Sequence, residues 1–352
     1  MNHLNSVPGR KTFVGGAAWG SEAKGNVVGY LARRHPYTAC VAAFPPSTGH
    51  TFKWEDKTMM NMMLPMAVVS DTITDVFIGP GALVDPVVMQ REIDYATSLG
   101  IMKGKRVFIH EHAGVVLPQH AKAEKDMGLT KMGSTAKGGM TAQVDRMRRD
   151  QDDQWVAREK LKGTSLEGNV IDRFEYMNRI REHGDVMIEG SQGFGLSMYH
   201  GHYPFTTARD TAPFAVLADC GCPMNWAKDI ECVWTMRTYP IRVNNRDGSS
   251  GPCYPDQREI TFEDLGKEVE LTTVTKLPRR IFTLSEMQIA HLRDQCMDSN
   301  SWVALTFADY VPEAELQELV NKIQGVGVRI GLINYGPHER DMWTYDKGEV
   351  GQ

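Results

Sequence analysis

At 352 residues the chain is long enough for one large α/β domain or two ordinary ones, and it can bury a sizeable core. Its 41% hydrophobic and 24% charged residues exclude a disordered or fibrous chain, and a net charge of -5 argues against a general nucleic-acid coat, which needs a basic excess. No run approaches the roughly 20 apolar residues of a membrane span, and the opening "MNHLNSVPGRKTF" lacks the apolar centre of a signal peptide, so a cytoplasmic location is expected.

The first element is a strand, "TFVGG", which runs into the glycine-rich stretch "GGAAWGSEAKGN" at residues 15–26. Glycines let backbone N–H groups approach phosphate oxygens, a following helix start adds partial positive charge, and Lys24 adds a full one. The spacing is not GxxxxGK[ST], because the lysine comes four residues after Gly20; on spacing alone an ordinary strand-to-helix turn stays open. A second apolar run, "ACVAAF", leads to "PPSTGHT" at 45–51, where His50 follows a glycine in a polar turn, as a donor to developing negative charge would. The methionine-rich "TMMNMMLPM" at 58–66 is read as core filling rather than a soft-metal site.

"DVFIGPGALV" is a further strand, and "DPVVMQREIDYATSLG" a helix with Pro86 at its start and Gly100 at its end. After the strand "KRVFIHEHAGVVL", "KMGSTAKGG" at 131–139 offers hydroxyls, a lysine and pliant backbone to a phosphate. Residues 141–183 are charged, rich in helix formers and poor in strands, and predict a helical excursion from the sheet. "DVMIEGSQG" and "HGHYPFTTARD" put Gln192, Thr206 and Thr207 in turns fit to hydrogen-bond a heterocycle or phosphate. Residues 244–272 read as an irregular substrate loop, and "KLPRR" at 276–280 sets two arginines where carboxylates could bind. The strands "WVALTFADY" and "VRIGLINYG" close the chain. The six cysteines are scattered apart from a Cys-Gly-Cys at 220–222, which matches neither a zinc nor a redox spacing, so free thiols are expected. Strands alternating with helices predict an α/β fold with a mainly parallel sheet, in one domain over residues 1–352, its ligands at the carboxyl ends of the strands.

Taken in order, these motifs resemble the adenylosuccinate synthetase family, which joins aspartate to C6 of a purine monophosphate at the expense of a nucleoside triphosphate. The family's WGDEGKGK stands here as "WGSEAKGN", its NAGHT as "STGHT", its IGTTxRGIGPAY as "MGSTAKGGMTAQ" and its EGAQG as "EGSQG". GTYPFVTSS appears as "GHYPFTTAR", TTGRPRR as "VTKLPRR", LTKLD as "LTFAD" and STGPDR as "NYGPHE", collinear from about residue 12 to 345.

The resemblance implies a P-loop-like member of that fold, Mg²⁺ as cofactor, and a homodimer in which an arginine, Arg149 by count, is lent across the interface. It makes Ser21, Lys24 and His50 the catalytic positions, with Ser21 and Gly49 at the metal. The triphosphate would meet Gly20, Glu22, Ala23, Lys24, Gly25, Gly49, His50 and Thr51, and its base would meet Phe307, Asp309, Asn334, Tyr335, Gly336 and Pro337. The monophosphate would meet Ser21, Ser47, Ser134, Thr135, Arg149, Gln192, Thr207 and Leu277, and the amino acid Val274, Thr275, Arg279 and Arg280.

Departures from the family pattern sharpen the expectation. Ser21 replaces the family's aspartate, which acts as base for N1–H and as Mg²⁺ ligand; a hydroxyl stays protonated near neutral pH, and it is smaller, leaving room at C2 for the amino group of guanine. Leu277 replaces an arginine that contacts the ribose 2′-hydroxyl, which suits a deoxyribose. Ser47 replaces an asparagine. Together they point to dGMP, as in the viral branch of the family. Phe307 in place of the lysine that stacks on guanine points to ATP or dATP, while the retained Asp309 keeps GTP open. The alternatives are an IMP- and GTP-using enzyme and a catalytically inactive nucleotide-binding relative.

Overall fold

The computed structural model describes residues 7–132, 134–244, 249–271 and 277–345. Its spine begins with strand β1 (Lys11–Gly16), whose six residues are all buried, as a strand covered on both faces must be. Parallel pairing puts Val186–Glu189 on one side of β1 and Glu231–Arg237 on the other. Outward from the first lie β2 (Ala39–Ala42), then, past the hairpin of β3 (His50–Trp54) and β4 (Lys57–Asn61), β5 (Asp75–Ile78), Arg106–His110 and Val170–Ile171. Outward from the second lie Ser301–Thr306, Ile330–Asn334 and the antiparallel edge Met342–Thr344. Nine of the ten strands therefore run parallel, with their carboxyl ends on one rim.

Helix α1 (Lys24–Arg34) starts directly after the β1 turn, and α2 (Pro86–Ser98) starts on Asp85, whose carboxylate accepts the N–H groups of Val87 and Val88. Phe13 packs edge-on against Trp234 at 5.6 Å within a continuous apolar core. Such fully buried side chains contribute roughly 1.5–3 kcal/mol each, which holds the strands together as one sheet.

Three sequence expectations are refined. Residues 141–183 are not purely helical, because Val170–Ile171 returns to the sheet edge between short helices. The segment read as an irregular loop is hung on a small antiparallel sheet of Ile241–Arg242, Arg280–Phe282 and Glu259–Ile260. The methionines do fill core, with Met59, Met63 and Met66 buried, although Met60 is exposed. The six cysteines carry free thiols.

Candidate functional site

A cavity of about 1110 Å³ opens at the carboxyl rim of the sheet. Gly20 and Ser21 reach it from the turn after β1, and Ser47, Gly49 and His50 from the turn into β3. Ser134 and Thr135, Gln192 and Thr207, and Leu277 with Arg279 complete the walls. Eleven predicted positions, separated by hundreds of residues, thus share one space.

The loop after β1 is built from inside. Glu22 is buried, and its carboxylate accepts the N–H groups of Ala18 at 2.6 Å and Gly20 at 3.2 Å. Burial pushes its pKa up to about 7 against the pull of Lys24. Lys24, equally buried, donates to the Gly20 carbonyl at 2.6 Å, and burial lowers its pKa against Glu22 and Glu189. Ala23 sits at φ 58, a left-handed position where the family motif has glycine; no side chain caps the helix there. Gly25 has a steric reason: a Cβ on it would lie 2.6 Å from Cβ of His50.

His50 is held on three sides. Its Nδ1 meets Glu189 Oε1 at 2.5 Å, Phe44 packs against its ring edge-on at 5.2 Å, and α1 lies beneath it. The second oxygen of Glu189 accepts the N–H of Met66 at 2.6 Å, so both oxygens of this fully buried carboxylate are engaged and the histidine's Nε2 is left for the cavity. Glu189 was not singled out from sequence, although an acid at the end of the apolar run "VMI" was the available signal. On the far wall Gln192, at φ 63, donates to Thr207 Oγ1 at 2.7 Å and Ser47 Oγ at 3.4 Å. Its own carbonyl oxygen is buried without a partner among the described residues, which leaves an acceptor ready for a ligand. Arg146 also lines this cavity and was missed; Arg149, three residues on, is exposed at the end of the same helix.

Ser21 Oγ accepts a hydrogen bond from Arg279 Nη1 at 2.9 Å. Arg280 points elsewhere, gripping Glu259 through two nitrogens at 2.8 and 2.7 Å. Thr51 is exposed on the face of β3 opposite His50. The predicted base-binding residues cluster at the neighbouring strand ends: Arg237 stacks on Phe307 at 3.6 Å, Lys267 pairs with Asp309 at 3.2 Å, and Asn334 and Asn26 both donate to the Gly336 carbonyl. Tyr335 and Pro337 flank that glycine, and the Tyr335 N–H donates to Asp341 O. Val274 and Thr275 lie outside the described residues.

Among the described residues no group of three His, Cys, Asp or Glu side chains could hold a metal. What the cavity offers instead is hard oxygen: the Gly49 backbone with open space around its Cα, and Thr48 Oγ1, buried without a partner among the described residues. This suits Mg²⁺, which takes few protein ligands and completes its shell with phosphate and water. Ser21 suits it less, because a guanidinium already occupies its hydroxyl.

A glycine-rich turn with a buried lysine, set beside a carboxylate-held histidine at the wall of one cavity, defines a nucleotide-handling α/β enzyme. The family model for adenylosuccinate synthetase matches residues 13–152 and 151–315, and the chain belongs to the adenylosuccinate synthetase family. It is 37% identical to the N6-succino-2-amino-2'-deoxyadenylate synthase of Cyanophage S-2L, over 92% of this chain and 90% of that one. To the enzyme of the same name from Acinetobacter phage SH-Ab 15497 it is 33% identical, over 97% and 95%. In structure it is similar to the Cyanophage S-2L succinoaminodeoxyadenylate synthetase bound to dGMP and dATP as an energy donor, with TM-score 0.89, 34% identity, and 96% and 95% of the chains covered. The fully ligated adenylosuccinate synthetase of Plasmodium falciparum, at 17% identity and TM-score 0.75 over 96% and 100%, shares the fold.

Proposed function

We propose that this chain, acting as one catalytic domain in the cytoplasm of an infected host cell, joins L-aspartate to C6 of dGMP and hydrolyses ATP or dATP to the diphosphate and phosphate. The observation that carries this reading is the pair Ser21 and Leu277 on the walls of one cavity. One leaves room at C2 for an amino group, and the other offers carbon where a ribose hydroxyl would want a donor. The phage synthases named above, and the dGMP and dATP held by the S-2L enzyme, support it.

Chemistry then proceeds in two displacements. O6 of the purine attacks the γ-phosphorus as the N1 proton passes to water and the bond to the β-phosphate oxygen breaks; the aspartate amine next attacks C6, gives up a proton to water and expels phosphate. Lys24 fixes positive charge under the phosphates, and His50 Nε2 donates to charge developing on the phosphoryl and O6 oxygens. Mg²⁺, held through the Gly49 carbonyl and the phosphates, would neutralise the triphosphate. Gln192, Thr207, Ser47 and Thr135 hold the 5′-phosphate with an arginine, Arg149, from the second subunit of a homodimer, and Arg279 holds aspartate. An adenine stacked on Phe307 is favoured over guanine because Lys267 already engages Asp309.

Phosphate release with aspartate, Mg²⁺ and ATP, compared for dGMP, GMP, dIMP and IMP, tests the reading. Turnover led by dGMP is expected; turnover led by IMP would overturn it.

A further inference from the structure

Arg279 is a half-buried cation whose hydrogen-bonding side-chain partner among the described residues is neutral. Its side chain is 14% exposed, and burial lowers its pKa, so the fold keeps a guanidinium there at a desolvation cost that an anion would normally offset. The carboxylate nearest it among the described residues, Glu270, is already engaged. Arg237 pairs with both of its oxygens and Tyr310 donates to Oε1 at 2.7 Å, while Arg279 Nε stands 4.0 Å from Oε2. The Arg279 backbone N–H is tied to Glu270 O at 2.8 Å, so its Cα cannot drift toward a better partner. Of five guanidinium N–H donors, the hydrogen bond made among the described residues goes to the Ser21 hydroxyl.

The geometry points to Ser21 as the residue that keeps Arg279 open to the carboxylates of the amino-acid substrate, making this position a determinant of amino-acid binding as well as of purine choice. A hydroxyl aims the guanidinium without neutralising it. In this chain, where Leu277 stands in place of the family's second arginine, a carboxylate at the same place would stand within ion-pair distance, close a charge-assisted pair and compete with the incoming dicarboxylate. Tyr310 and Arg237 act in the same sense by occupying Glu270. The inference deepens the aspartate-ligase reading and rests on it.

The test is steady-state kinetics of the full chain with aspartate varied at saturating dGMP and ATP. Ser21→Asp is expected to raise the aspartate KM at least about 10-fold through the competing ion pair, whereas Ser21→Ala, which adds no competitor, shifts it less than about 3-fold. Tyr310→Phe strips a hydrogen bond from Glu270 Oε1, leaving this carboxylate less neutralised beside Arg279, and is expected to raise the aspartate KM about 3-fold with the dGMP KM unchanged. An aspartate KM within twofold of wild type in both Ser21→Asp and Tyr310→Phe overturns the inference. If Ser21→Asp has no turnover, the Tyr310→Phe result decides alone. Arg279→Ala separates the two levels: an unchanged aspartate KM there would mean that the amino acid is bound elsewhere, and the parent reading would fail before the coupling does.

Discussion

The loop after β1 and the arginine-bearing segment at 277–282 face each other across one cavity but handle charge in opposite ways. In the loop, Glu22 and Lys24 are both buried and set against each other, with backbone groups of Ala18 and Gly20 completing the shell. Across the cavity, Arg280 is committed to Glu259 while its neighbour Arg279 meets a neutral hydroxyl. Satisfied charge gives a fixed frame; under-paired charge leaves a place for an anion. Two adjacent arginines in "KLPRR" thus do different jobs, and only the fold tells them apart.

The strongest way to break the contrast is to empty the frame. Lys24→Ala and His50→Ala should each lower kcat by roughly 10³-fold while dGMP affinity, measured by calorimetry, moves far less, because both act on transition-state charge. A variant near wild-type turnover would remove that residue from the mechanism. A smaller loss is expected from Glu189→Gln, about 10- to 100-fold in kcat with little change in dGMP KM, since the amide keeps the shape and loses the charge that orients His50. Equal effects on kcat and KM would make Glu189 structural only.

The smallest effect concerns stability away from the cavity. Burial and the neighbouring His112 lower the pKa of His110 to about 4, below its usual 6.5. The fold therefore prefers the neutral ring, and this contribution is complete above pH 6.5 and lost as pH falls from there toward 4, by on the order of 2 kcal/mol once solvent screening is allowed for. Replacing His110 with Gln should flatten that part of a denaturation-versus-pH curve; an unaltered curve would show that the ring titrates normally.

Much of this was legible in sequence because the motifs sit at strand ends, where a parallel sheet gathers them. The "WGSEAKGN", "STGHT" and "EGSQG" stretches each follow a strand-like apolar run, which is where the sequence puts ligands in a parallel sheet. What stayed hidden was pairing. Nothing in the order of residues says that Glu189 holds His50, that Lys267 has claimed Asp309, or that Arg279 rather than Arg280 faces Ser21. Such contacts span up to 258 residues of chain and depend on which way a side chain leaves its strand. Arg146 was passed over for a related reason: on a helix, facing the cavity depends on the phase of the turn, which a cluster of arginines does not reveal.

The near-contact of Gly25 with His50 has a mechanical consequence. Helix α1 and strand β3 touch at a point where not even a methyl group fits, so Lys24 and His50 are carried on one rigid block. Relative movement of these two residues would require α1 and β3 to part first.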